Sequence, residues 1–567
     1  MPVELWTTHS LEKLFPETQK PGAAPMGIAL KAGRNDAEDA QIAIRTARGT
    51  EIAAASVTLP NLVGPRGETI PRRHLSAHWV WYIYVLNNPP ANTDPSTYLR
   101  KAPAFFPDAF LEEETIAVRD EWTQPLWVSV HVPKGAAPGE YTGAIGIDLV
   151  ERDGAKHHFE VPISLTVWPF TLPDEPSLHH TEWFFPDRVA AYYRLERWSE
   201  AHWGWIEKVA EDMARHRQDM ILTPFPSLVD IRRTASGRFS YDFTRLDRWV
   251  KTFRKAGLTW IEGSHVAGRV GGWHSDIGWR RLRVEDAGGR PIDTSREKLS
   301  DAEYEPYMES FVKAIHAHLK QQRWDRRYVQ HVADEPMPDN EASWSACARK
   351  VRAWLPGVPT IDAVMSEGLE GLVDWRVPQI QHIRPDSPRN PGEELWSYVC
   401  LAPQGPYPNR FLDYPLIRNR IIFWLSWSLG LKGFLHWGYN SWAAWQGVPV
   451  RIPVEPWLDA TAGSIYCADR NPLPAGDPHL VYPGETRICS SMRWEDIRNG
   501  MEDFEYLHML EQAAVGRGRA VSAARRLLAR IKAEIAPDPL THTRDDRALL
   551  GAREEAGNLL AELAREK

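Results

Sequence analysis

Up to about Pro173 the chain alternates short apolar and polar runs cut by Pro and Gly, with candidate strands at 42–45, 52–59, 79–85, 126–132, 143–149 and 158–167. Period two is clearest in Trp127-Val128-Ser129-Val130-His131-Val132 and in Ile163-Ser164-Leu165-Thr166-Val167. Successive strand side chains point to opposite faces, so this pattern predicts strands with one face on a core and one in water, as in an all-β sandwich. Pro162 cannot donate to a ladder, which predicts an edge position or a bulge there. Pro169, Pro173 and Pro176 then punctuate a linker.

From about His179 the pattern changes. Candidate strands at 180–185, 220–223, 258–262, 328–333, 360–364, 379–382, 396–401 and 433–437 are interleaved with amphipathic runs such as 307–319 and 341–354. That alternation is the sequence form of an α/β fold. Eight strands match a (β/α)8 TIM-like barrel, whose catalytic residues sit at the carboxyl ends of the strands. Past about Gly500, Phe504, Leu507, Leu510, Ala513, Ala514, Leu527, Leu528 and Ile531 recur at helical spacing among many charges, which predicts helices packed on the barrel with a solvated charged face. The expected fold is multidomain: a β-sandwich over 1–173, a (β/α)8 barrel over 174–500 and a C-terminal helical extension over 501–567.

A chain of 567 residues exceeds what one core supports. Its formal net charge of -8 comes from intermixed acids and bases, which argues against a nucleic-acid surface and favours a neutral or weakly charged partner. No apolar run approaches the roughly 20 residues that cross a bilayer, so no membrane partner is expected. The amino terminus shows no basic patch followed by an apolar stretch, and a cytoplasmic location is expected. Cys347, Cys400, Cys467 and Cys489 are spaced too widely for a metal or redox motif and are expected to be free thiols. Adjacent His157-His158 and His179-His180 would face opposite ways on strands, so neither a metal nor another cofactor is expected. A homo-oligomer is compatible with these features.

The chemistry concentrates in Gln330-His331-Val332-Ala333-Asp334-Glu335-Pro336, which places two adjacent carboxylates where the fourth barrel strand should end. By itself Asp-Glu-Pro reads first as a solvated loop. The helix, strand and helix order around it selects a catalytic reading, because paired carboxylates cleave glycosidic bonds. Glu182 and Glu262, near other strand ends, are reserve acids or partners of a barrel arginine. The loop 398–415 leaves its strand at Tyr398 and is either part of the catalytic face or a stiff loop packed by its own side chains, with Cys400 a structural thiol. The block 434–445 caps the eighth strand with Trp437, Asn440, Trp442 and Trp445, whose aromatic faces and amide suit a sugar's apolar face and hydroxyl rim. The Gly-rich segment 264–300, carrying Trp273 and His274, is either a lid or an ordered surface excursion.

Taken in order, Ala333-Asp334-Glu335-Pro336, the 398–415 and 433–442 blocks, Leu480-Val481-Tyr482-Pro483-Gly484 and the 490–507 run resemble glycoside hydrolase family 123 and its uncharacterised relatives. The likeness covers the barrel and helical end, and more loosely the sandwich. It implies a retaining exo-β-N-acetylgalactosaminidase that acts by substrate assistance without a cofactor. The family's acid pair maps onto Asp334 and Glu335. Glu335 would be general acid and then base, and Asp334 would support the substrate's 2-acetamido group, whose carbonyl oxygen attacks the anomeric carbon to give an oxazoline-type intermediate. Neighbouring strand residues face apart, so the strand must end or twist at Asp334, with Pro336 restricting Glu335 to extended geometry. Expected substrate contacts are Tyr398, Trp437, Asn440, Trp442, Trp273 and His274, and the expected partner is a small oligosaccharide or glycoside ending in N-acetylgalactosamine. The alternatives are a glycosidase for another sugar, such as a β-N-acetylglucosaminide or a non-acetamido hexoside, and a carbohydrate-binding barrel without catalysis.

Overall fold

A computed structural model of the chain describes residues 2–89, 94–366, 368–442, 455–461 and 473–566. Trp445 of the aromatic block and Cys467 lie outside these residues. Two compact units are present: one comprises Met1–Ser177, Leu401–Gly430 and Gly438–Lys567, the other Leu178–Cys400 and Leu431–Trp437. The C-terminal helices, expected on the barrel, group instead with the sandwich.

In the first unit, strands Val3–His9, Asp36–Thr46, Thr123–Val132, Leu75–Val85 and Ala104–Phe110 form one antiparallel sheet in that spatial order. Ile28–Arg34, Lys156–Thr171, Gly139–Glu151, Ile52–Thr58 and Ile116–Val118 form the path of a second sheet, in which only the first pair is parallel. Inward residues such as Ile42, Leu126, Val128, Val130, Ile145, Ile163 and Leu165 make its apolar core. Pro162 is not on an edge strand, but its neighbour's ladder starts only at Ile163 opposite Ile28, so the missing N–H falls beside the end of that ladder. The expected wet face of 127–132 is also mostly covered: Trp127 is buried against Phe110, with ring centroids 5.6 Å apart, and only His131 is exposed.

Parallel-paired strands of the second unit include β1 (His179–Glu182), β2 (Met220–Thr223), β3 (Trp260–Gly263), β4 (Tyr328–His331), β5 (Thr360–Val364), β6 (Trp375–Pro378), β7 (Ser397–Tyr398) and β8 (Gly433–His436). β2 to β6 lie side by side in chain order, with Glu394–Leu395 beyond β6, and β8 lies between β1 and β7. A parallel bridge from Gln379 to Tyr398 links the β6 end to β7. Almost every residue in these strands is buried, as a parallel sheet covered on both faces requires.

Helices α1 (Glu200–Arg215), α2 (Thr244–Ala256), α3 (Asp301–Gln321) and α4 (Glu341–Trp354) occupy the connections after β1 to β4. Their sequences dictate them: α2 buries Leu246, Trp249, Val250 and Phe253 on one stripe and stops at Gly257, whose φ of 127° is open to glycine. α3 starts with a capping box between Ser300 and Glu303. After β5 and β6 there is no α-helix among the described residues, so the regular (β/α)8 alternation is interrupted there. The sixth strand also lies earlier than expected. It ends at Pro378, and 380–382 form a single 3-10 turn.

Candidate active site

The acid pair lies at the carboxyl end of β4, and β5 holds that end in place. The buried Asp362 carboxylate accepts the Val332 N–H at 3.2 Å on Oδ1 and the Ala333 N–H at 3.0 Å on Oδ2. From α4, Trp344 Nε1–H donates to Asp362 Oδ2 and to the Ala333 carbonyl, both at 3.0 Å. The chain then bends as Glu335 N–H reaches the Ala363 carbonyl at 3.1 Å, and Glu335 takes a φ of 46°. Extended geometry was expected there because of Pro336; the turn is instead made at Glu335 itself, in a left-handed conformation that costs a non-glycine residue about 1–3 kcal/mol.

Arg269 braces this turn. Its guanidinium donates to the carbonyls of Asp334 at 2.9 Å and Glu335 at 2.8 Å. Its Nε donates to the Trp273 carbonyl at 2.7 Å, and the guanidinium lies 3.7 Å over the Trp273 ring. The segment 264–300 is thus ordered where it passes the acids, as a hairpin of Ala267–Arg269 and Ile277–Trp279.

Both acids are partly exposed, so a substrate can reach them, yet the protein strips much of their water. Burial, then the negative charges of Glu335 and Asp362, pushes the Asp334 carboxyl up to about 7, against the pull of His331 and Arg269. Burial also raises Glu335, opposed by the Tyr398 hydroxyl, which donates to its Oε1, and by Arg269. Two adjoining carboxyls of this kind titrate as a unit and hold one proton between them towards neutral pH.

Behind the pair, a buried line of charges crosses three strands. His331 Nδ1 is 2.9 Å from Asp362 Oδ1 and its Nε2 is 2.7 Å from Glu262 Oε1. Trp183 Nε1–H donates to that same Glu262 oxygen at 2.8 Å, and the Thr181 hydroxyl donates to the other. Burial lowers the affinity of His331 for its proton, but the two carboxylates outweigh it and raise the imidazole to about 9. Glu262 is therefore paired with histidine rather than an arginine, and its oxygens are occupied, which removes it as a free reserve acid. Glu182 is also buried, with His180 at 3.4 Å and His436 at 3.9 Å.

Among the described residues, His265, His331 and Asp362 are the group whose potential metal-ligand atoms converge, within 4.8 Å. His331 has both nitrogens on carboxylates, and Asp362 accepts two hydrogen bonds on each oxygen. Those atoms are committed to a hydrogen-bonded network that holds protons, so the arrangement does not fit a metal cage.

The sequence profile of the glycoside hydrolase 123 catalytic domain matches residues 183–510, and that of the glycoside hydrolase 123 N-terminal domain matches residues 11–149. The chain belongs to glycoside hydrolase family 123. It is accordingly a glycoside hydrolase. Its fold is similar to that of a family 123 glycoside hydrolase from Clostridium perfringens, studied for glycolipid glycan hydrolysis, with a TM-score of 0.73 at 15% identity over 100% of this chain and 99% of that one. A β-D-glucuronidase from Dictyoglomus thermophilum aligns more loosely, with a TM-score of 0.31 at 9% identity over 82% of this chain and 66% of that one. No curated protein sequence matches the chain.

In this family 123 hydrolase, the other residues singled out by sequence have varied settings. Tyr398 is buried at the end of β7 and meets Glu335 directly. Trp273 is 45% exposed and is tied to the acid turn through Arg269. His274 is exposed, with Nδ1 2.8 Å from Asp339 Oδ2. Trp437 is partly exposed and stacks on His436. Asn440 and Trp442 belong to the first unit and are buried; Trp442 Nε1–H donates to the Val481 carbonyl at 2.9 Å, a packing role that Trp abundance made easy to mistake for a platform. Cys347 and Cys489 are buried free thiols, and the partly buried Cys400 Sγ accepts from Gln379 Nε2 at 3.7 Å. Sequence reasoning missed Arg269 and Asp362. His331 was in plain view three positions before Asp334, but nothing local marks it as charged.

Proposed function

We propose that this family 123 hydrolase is a retaining exo-β-N-acetylgalactosaminidase whose nucleophile is the substrate's own 2-acetamido oxygen. The observation that carries the reading is the bend at Glu335, which takes two neighbouring carboxyls out of strand geometry while Asp334 senses the charge of Glu335. The reading treats the two parallel sheets of the second unit as arcs of one eight-stranded barrel, joined through the Gln379–Tyr398 bridge. Glu335, raised in affinity and steadied by Tyr398, protonates the glycosidic oxygen. As that C–O bond breaks, the acetamido carbonyl oxygen closes on the anomeric carbon, and the Asp334 carboxylate stabilises the positive charge developing on the acetamido nitrogen. Glu335 then takes a proton from water, which opens the oxazoline and leaves the β-anomer.

Support for terminal N-acetylgalactosamine comes from the family resemblance, and the small, uncharged character of such a glycoside suits the mixed surface charge. The deciding experiment compares a β-N-acetylgalactosaminide with its plain β-galactoside and the matching β-N-acetylglucosaminide, with proton NMR of the first-formed anomer. The acetamido sugar should be cleaved with retention while the plain galactoside stays almost inert. A thiazoline mimic of the cyclic intermediate should inhibit. Equal cleavage of the plain galactoside, or an inverted first product, would sink substrate assistance. Preference for the glucosaminide would reassign the sugar.

A further inference from the structure

The Glu262–His331–Asp362 line has no part in the steps above, yet it ends on the acid pair. Asp362 is its hinge: one carboxylate accepts His331 on one side and the Val332 and Ala333 amides, which lead into Asp334, on the other. At the far end Glu262 is fixed by Trp183 and Thr181 from β1. His331 therefore cannot turn or drift without displacing the strand exit that carries both acids. We infer that His331 is a positioning residue for the Asp334–Glu335 pair, acting through Asp362 to hold the strand exit and to set how tightly the pair keeps its shared proton.

The electrostatics point the same way. The charged or titratable groups around His331 are Glu262 from β3, Asp362 from β5 and His265 from the loop after β3, whose ring centroid is 4.4 Å from that of His331. Burial, then the positive charges of His331 and Arg280, holds His265 well below the usual range, so the imidazolium has carboxylate partners and one neutral neighbour. Asp334 in turn feels Glu335, Asp362, His331, Arg269 and Arg280. Both His331 nitrogens are bonded to carboxylates, so its charge is fixed in place behind the pair. Taking its charge away leaves Asp362 uncompensated beside Asp334, and the pair must then hold its proton to higher pH.

This inference rests on the proposed roles of the two acids, and its test is built to fail separately from them. The full-length protein, labelled with carboxyl-13C aspartate and 15N histidine, is titrated with Asp334→Asn and His331→Gln used to assign the two signals. In the wild type both ring nitrogens of His331 should carry protons at pH 8. In His331→Gln the Asp334 titration should move up by about one pH unit, the scale of one nearby charge in a partly buried site, and both limbs of the kcat/KM profile should follow.

Should that variant not fold, Glu262→Gln carries the same test. Its amide oxygen keeps the Trp183 and His331 donors and its nitrogen faces the Thr181 hydroxyl. In it His331 should titrate lower, and above that transition the acid pair should keep its proton to higher pH than in the wild type. An Asp334 titration unchanged in a folded variant, or a wild-type His331 with a single ring proton at pH 8, overturns the inference, even if turnover has dropped. Absence of any glycosidase activity would instead sink the proposed function and leave the NMR titration to decide this point.

Discussion

Glu335 makes the turn at the strand exit, and Asp334 beside it is held at an affinity far from an ordinary aspartate. Glu335→Gln should lower hydrolysis of a substrate with a poor leaving group by about two to four orders of magnitude, with a smaller loss on an activated aryl glycoside in the first step. Rates unchanged on both substrates would remove Glu335 from the role of acid. Asp334→Asn should impair turnover more than binding. It also has a stability signature of definite sign. The folded Asp334 carboxyl, at about 7, binds its proton more tightly than the unfolded chain does, so stability falls as pH rises from the unfolded value towards 7, and the penalty is complete above it. The asparagine variant should therefore melt higher than wild type at pH 8, by at most about 4 kcal/mol of stability, and match it near pH 3. Equal melting at pH 8 would show that the carboxyl is not held at raised affinity. Rates as a function of pH should trace a bell, rising as the pair loses its first proton and falling as Glu335 gives up the second, with the falling limb above the ordinary carboxylate range.

At the scale of elements, the acid turn depends on a hairpin that brings Arg269 over two carbonyls. Arg269→Ala should cut kcat by about 10- to 100-fold with little change in KM, because a small displacement of the reacting groups is enough for such a loss. Arg269→Lys should rescue little, since a single ammonium cannot span both carbonyls as a planar fork does. A lysine variant with wild-type kcat would mean that the brace is dispensable. The acid exit was legible in the sequence because its signal is local: two carboxylates, a strand before and a helix after. Its support was not, since Arg269 and Asp362 reach it from other strands. The sandwich strands around 127–132 and 163–167 were legible by period two, whereas Ala104–Phe110 was hidden by Pro107 and Asp108 in its middle. The ladder shifts register beside Pro107, and Asp108 is neutralised by a partner 385 residues away.

At the scale of the molecule, that distant partner belongs to a charged run in the interior: the helix Met492–Ala513 is buried from Arg493 to Asp503, and the solvated charged face expected past about Gly500 does not begin there. Arg493 meets both oxygens of Asp108 at 2.9 Å, Arg498 meets Asp39 at 2.6 Å, and Asp503 accepts from Arg420 Nε at 2.6 Å and Nη2 at 2.9 Å. The run that helped to reveal the family thus serves the first unit's interior. Arg493→Met should cost about 3–5 kcal/mol in chemical denaturation, because it strands a buried carboxylate, while the folded fraction keeps its KM. A loss below 1 kcal/mol would show that Asp108 finds another partner.

The chain leaves the second unit after Cys400 and comes back for Leu431–Trp437 alone, delivering β8 between β1 and β7. On a ribosome, β1 therefore emerges about 250 residues ahead of the strand that covers it. At roughly 5–20 residues per second the wait is about 12–50 s, during which β1 offers a bare backbone edge to any neighbouring chain. Nascent chains stalled before residue 431 should bind holdase chaperones and aggregate when released, and those stalled well past 437 should not. A gene fragment ending at Cys400 would inherit the same open edge permanently, so the catalytic unit cannot be harvested by trimming the carboxyl end.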